Sequence, residues 1–115
     1  MVSLTVQQIA QQNDEFRRGG PNVPGQRFVT MGINELLKQL DIPPEELAQA
    51  VTEFSQFTGD NDPHVEHNFG AFEFHSHKLF WKIDYYDKNY SMGSDDPADL
   101  SKTRRVLTIM LADEY

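Results

Sequence analysis

An α+β fold, with a small antiparallel sheet of about three strands and helices packed on one face, is what this 115-residue sequence predicts. Three observations predict it. Residues 69–87, FGAFEFHSHKLFWKIDYYD, alternate with period two and carry the only tryptophan and four of the eight phenylalanines, which is the strand signal. Apolar residues recur at helical spacing before and after that stretch. Segments rich in glycine, proline and aspartate separate these runs. A sheet with one apolar face is buried most economically by helices laid on that face.

The chain begins with a helix over residues 6–18, where Val6, Ile9, Ala10, Asn13 and Phe16 share a face and Thr5 with Gln8 forms a capping box. Arg17 and Arg18 complement its dipole, and Gly19-Gly20 ends it. A GGPNVPG loop follows. Residues 26–31, QRFVTM, are expected as a third strand beside the hairpin, broken by Gly32. Ile33, Leu36, Leu37 and Leu40 mark a short helix capped by Asn34. The next helix starts at Pro43-Pro44, with Glu45 and Glu46 at its positive end. It runs to about residue 57 and buries Leu47, Ala50, Val51 and Phe54.

Residues 58–68 form a polar loop of turn formers. In the hairpin, a two-residue turn at His75-Ser76 places Phe74 opposite His77, Glu73 opposite Lys78 and Phe72 opposite Leu79. Neither residue is the asparagine or glycine usual in such a turn. A last helix is expected after Asp96-Pro97, with Leu100, Thr103, Leu107 and Met110 on one stripe and Val106, Ile109 and Leu111 widening it.

Length and composition describe one domain, 1–115, able to bury a single core. The chain has no cysteine, so neither a disulfide framework nor thiolate chemistry is expected. The N-terminal residues lack a signal-peptide pattern, and no apolar run is long enough to span a bilayer. A cytoplasmic protein with no membrane association is the expectation. The net charge of −8 argues against direct nucleic-acid binding. Its distribution is uneven: residues 1–38 sum to +1, residues 39–77 to −8, and residues 78–115 to −1. The middle third holds eight acidic residues and no lysine or arginine.

The strings NDP (61–63), EH (66–67), FGAFE (69–73), FWKIDYYD (80–87), DPAD (96–99) and TRRVLTIMLADEY (103–115), with NDEFRR (13–18) more loosely, resemble a family of small bacterial proteins known as a domain of unknown function. The resemblance implies no activity, cofactor or catalytic residue, and it points toward proteins of mobile genetic elements. Two departures from the expected pattern are His75-Ser76 in place of Asp-Gly and Leu100 in place of proline.

Three sets of residues could carry function. Glu45, Glu46, Glu53, Asp60, Asp62 and Glu66 form a partner-binding set, since a dense carboxylate surface can occupy a groove built for phosphates. Glu66, His67, Lys82 and Asp84 form a set suited to general acid–base work. His64 and His67, among four histidines within fourteen positions, form a metal-ligating set. Aromatic residues on both hairpin faces, including Phe80 and Tyr86, raise an interface patch as a further option. Arg104 and Arg105 are expected as partners for the acidic surface. The reading that results is a non-enzymatic acidic interaction protein without a cofactor, an inhibitor that presents its acidic face to another protein that binds nucleic acid. The alternative is a small enzyme or metal-binding protein centred on His67. The oligomeric state does not follow from the sequence.

Overall fold

A computed structural model describes residues 3–115. Three helices, α1 (Leu4–Arg17), α2 (Met31–Gln39) and α3 (Pro44–Thr52), accompany four strands, β1 (Gly25–Val29), β2 (Phe69–Phe74), β3 (His77–Tyr86) and β4 (Arg104–Leu111). A 3₁₀ turn, Ala112–Glu114, closes the chain. The sheet order is β1-β4-β3-β2, with β1 parallel to β4 and the other pairs antiparallel. The α+β class holds; the sheet is mixed and has four strands rather than about three.

The hairpin forms in the expected register, with Phe74 opposite His77 and Phe72 opposite Leu79. His75 (φ 48°) and Ser76 (φ 68°) both adopt positive φ, as a turn that matches strand twist requires. Alternation then sends Leu79, Trp81 and Ile83 inward, where they join Phe16 of α1, Ile33, Leu36 and Leu37 of α2, and Leu47 and Val51 of α3 in one cluster. The three helices therefore cover a single face of the sheet. Trp81 is fully buried, with Phe54 and Phe57 edge-on at 5.5 and 6.1 Å. It sits against Gly70, where a Cβ would come within 2.2 Å of the indole nitrogen.

The expected last helix is instead β4. Arg105, Leu107 and Ile109 are buried alternately, and the apolar arc that looked broad for a helix is the two sides of one strand. Lying between β1 and β3, it finds ladder partners on both edges, and β-branched Val106, Thr108 and Ile109 suit that pleated setting. The DPAD segment before it is a loop of turns: Asp99 accepts from the backbone N–H (2.9 Å) and hydroxyl (2.7 Å) of Ser101. The first strand is also placed differently, since β4 separates β1 from the hairpin.

Element boundaries shift for identifiable reasons. Ser3, not Thr5, caps α1, its hydroxyl accepting from Val6 N at 3.1 Å. Thr30, not Asn34, caps α2 through Ile33 N, and Gly32 lies inside its first turn instead of ending a strand. The Glu114 carboxylate reaches that turn, accepting from the Thr30 hydroxyl (2.6 Å), Gly32 N (3.2 Å) and Leu111 N (2.8 Å). A Cβ on Gly32 would collide with it. α3 stops at Thr52, short of residue 57. There the Arg17 guanidinium donates to Val51 O (2.7 Å), which also accepts from Phe54 N at 3.3 Å, and to Thr52 O (3.1 Å), at a helix end whose last carbonyls lack intrahelical partners.

The far face of the sheet carries Phe69 and Phe80, with ring centroids 5.0 Å apart. Tyr115 packs edge-on against both, at 5.8 and 5.5 Å. The C-terminal residue thus covers part of the aromatic patch that helices leave open.

Candidate functional site

Polar and charged side chains gather in two regions, a network beneath α1 and the carboxylate surface on α3. The network starts on the buried stripe of α1. Asn13 and Arg17, four residues apart, stand one turn from each other on that stripe and are 0 % and 3 % exposed. Asn13 accepts from Arg105 Nε (2.6 Å) and donates to Tyr85 Oη and Glu66 O, each at 2.9 Å. Tyr85 Oη donates to Glu66 Oε1 at 2.7 Å. Arg105 also donates to Gln12 Oε1 (2.9 Å) and Pro97 O (3.1 Å), with its guanidinium over the Tyr85 ring. Burial pushes the Tyr85 phenol well above its ordinary pKa and lowers those of Arg105 and Arg17. Asp14 opposes that shift at Arg17 through an ion pair at 3.1 Å.

His67 extends the network into the loop before β2. Its Nδ1 lies 3.0 and 3.1 Å from the two oxygens of Asp14, its Nε2 lies 3.7 Å from Asp62, and its ring stacks on Phe57 at 3.9 Å. The backbone there is unusual, with Val65 at φ 58° and His67 at φ 57°, a region that β-branched residues rarely occupy. Asp62 holds it: Val65 N donates to Asp62 O and His67 N to Asp62 Oδ1, both at 3.1 Å. A shallow cavity of about 420 Å³ lies beside His67, Asp62 and Phe57.

The expected acid–base set does not converge. Glu66 and His67 belong to this network on the helix side of the sheet. Lys82 and Asp84 project from the opposite side of β3 and pair with each other at 3.1 Å. His64 is exposed. Among the described residues, no three of His, Asp and Glu are grouped so as to hold a metal. His67 and its two carboxylates orient a loop, and among the described residues no hydroxyl hydrogen-bonds to its Nε2.

The acidic set divides. Asp62 and Glu66 are drawn into the network, while Glu45, Glu46, Glu53 and Asp60 are exposed. Glu45, Glu46 and Glu53 fall on one side of α3, because helical geometry brings positions i, i+1 and i+8 within about 100° of one another. Gln49 between them donates to Glu53, and Glu46 contacts His75 of the hairpin turn. Among the described residues, no lysine or arginine pairs with any carboxylate of residues 39–77. Arg105 is buried against Gln12 and Asn13, and Arg104 donates to Leu100 O and Thr103 O, so neither reaches that surface.

Asn13, Asp14, Arg17, Tyr85 and Arg105 were not among the sites read from the sequence. The one signal for them was Asn13 itself, a polar residue on an otherwise apolar helical stripe.

Fold and site together define a small α+β domain built on a buried polar network and carrying one strongly acidic helix face. Residues 29–114 match the family described as protein of unknown function (DUF3768), and the chain belongs to that family. The match includes the hairpin and β4; the NDEFRR string at 13–18 lies outside it. No curated protein and no solved structure matches.

Proposed function

We propose that this protein is a non-enzymatic interaction module, an inhibitor whose acidic face docks on the cationic groove of a nucleic-acid-binding protein. The observation that carries the reading is the exposed, lysine- and arginine-free carboxylate surface of α3 and the loop after it, led by Glu45, Glu46, Glu53 and Asp60. Among the described residues, the one basic side chain that contacts these four carboxylates is His75, at Glu46; carboxylates without lysine or arginine partners can offer much of their field to another molecule. Charge complementarity of this kind accelerates encounter and selects partners. The setting proposed is the cytoplasm, and the role is evasion of a defence system by a mobile element.

The test is competition. A nucleic-acid-binding protein captured on the immobilised chain should be released by duplex DNA and by moderate salt. The triple reversal Glu45→Lys, Glu46→Lys, Glu53→Lys should abolish its capture. A partner retained by the reversed protein would exclude this face as the docking surface.

A further inference from the structure

We propose that the open cavity lined by the C-terminal end of α1, β1, β4, α2 and α3 binds a small amphipathic monocarboxylate, a medium-length alkyl carboxylate whose head is held by Arg18 and Arg27. The cavity measures about 390 Å³, within the range of small-ligand sites. Its walls are largely aliphatic, formed by Leu37, Leu47, Val51, Leu107 and Ile109 with Pro44. Three arginines also line it, and among the described residues no carboxylate does. In a chain with 18 acidic and 10 basic residues, that local excess of positive charge runs against the composition.

The three arginines are not equivalent. Arg17 has both terminal nitrogens committed to Val51 O, Thr52 O and Asp14. Arg18 is exposed, and among the described residues its side chain has no hydrogen-bond or ion-pair partner. Arg27 donates one nitrogen to Phe16 O at 2.7 Å and stacks over the Phe16 ring at 4.1 Å, which fixes its plane while its remaining donors lack a carboxylate. Arg27 is exposed overall, but the part of its guanidinium that the protein shields from water lowers its pKa from the ordinary value. A guanidinium fork matches a carboxylate in two parallel hydrogen bonds. An alkyl chain on that carboxylate would displace water from the leucine and isoleucine walls. Acetate lacks the chain, and an alcohol lacks the charge; each satisfies half of the site.

The acidic face lies on the outward side of α3, and Glu45, Glu46 and Glu53 do not line this cavity. Decanoate, titrated calorimetrically below its aggregation concentration, should bind saturably at one per chain, with acetate and decanol showing no saturation over the same range. The double variant Arg18→Gln, Arg27→Gln should weaken decanoate by about tenfold or more, as loss of charge-assisted hydrogen bonds predicts. Arg18→Gln alone, at a side chain with no hydrogen-bond or ion-pair partner among the described residues, should weaken it with an unchanged thermal melt. Ala48→Trp, at an exposed lining position, should fill the cavity and abolish binding. Absence of decanoate binding, equal affinity for decanol, or an Arg18→Gln variant with undiminished affinity would overturn the proposal.

Discussion

Asn13 shows what a single side chain does in this fold. It supplies an acceptor to Arg105 and a donor shared by Tyr85 and the Glu66 carbonyl. Removing it leaves a buried guanidinium nitrogen unpaired, in a residue whose Nη1 already has no partner. Asn13→Ala should therefore destabilise the protein by about 2–4 kcal/mol in urea unfolding, above the usual effect of one hydrogen bond. Gly70 is a second such residue. Gly70→Ala drives a methyl group into fully buried Trp81, so a loss of about 1–3 kcal/mol is expected, with altered tryptophan fluorescence as the accompanying signal. Glu114 acts through charge. Its hydrogen bonds from the Thr30 hydroxyl and from Leu111 and Gly32 backbone lower its pKa below the ordinary 4.5. A carboxyl depressed in the folded state stabilises above its unfolded pKa and loses that contribution as pH falls through the folded value. Glu114→Gln should lower the melting temperature at neutral pH, and the difference from the parent protein should shrink in acid below the ordinary carboxylate range.

The hairpin turn and the helix ends are each shaped by residues that local sequence preference does not favour or supply. His75 and Ser76 hold positive φ that neither prefers. Replacing them with Asn-Gly, the pair suited to that backbone, should stabilise the protein by about 0.5–1 kcal/mol. The contact between His75 and Glu46 lost in the exchange is between half-exposed side chains and contributes little. α2 and α3 are each finished by groups distant in sequence, α2 by Glu114 across 82 residues and α3 by Arg17 across 34. That dependence accounts for the end of α3, expected near residue 57 and found at Thr52; the starts of α1 and α2 were set by the local caps Ser3 and Thr30. β4 is the larger case. Isolated, VLTIML satisfies a helical stripe as well as a strand, and short apolar runs are ambiguous in this way. Partners on both edges decided in favour of the strand.

Across the whole molecule, polar chemistry is sorted by side. The sheet divides Lys82 and Asp84 on one face from the network of Asn13, Arg17, Tyr85 and Arg105 on the other, while the exposed carboxylates of α3, with Glu46 against His75, lie on its outside. The triple reversal at Glu45, Glu46 and Glu53 changes the net charge from −8 to −2, a gain of two for each of three residues. Because those side chains are exposed and, among the described residues, make no lysine or arginine pairs, the reversed protein should melt near the parent temperature. A loss of partner binding would then report on the surface and not on unfolding.

The sequence by itself determined the α+β class, the hairpin with its register, the inward face of Leu79, Trp81 and Ile83, the existence of all three helices, and the concentration of charge in residues 39–77. Those properties rest on alternation, periodicity and composition, which neighbouring residues carry among themselves. Tertiary structure alone decided that residues 104–111 are a strand, that β1 lies parallel to it, and that Glu66 and His67 stand across the sheet from Lys82 and Asp84. It also decided that two of six expected surface carboxylates, Asp62 and Glu66, turn inward. The physical reason is common to all of these. Hydrogen-bond partners for strand edges, helix ends and buried polar groups come from residues far along the chain, and a buried group takes whichever partner the fold brings to it.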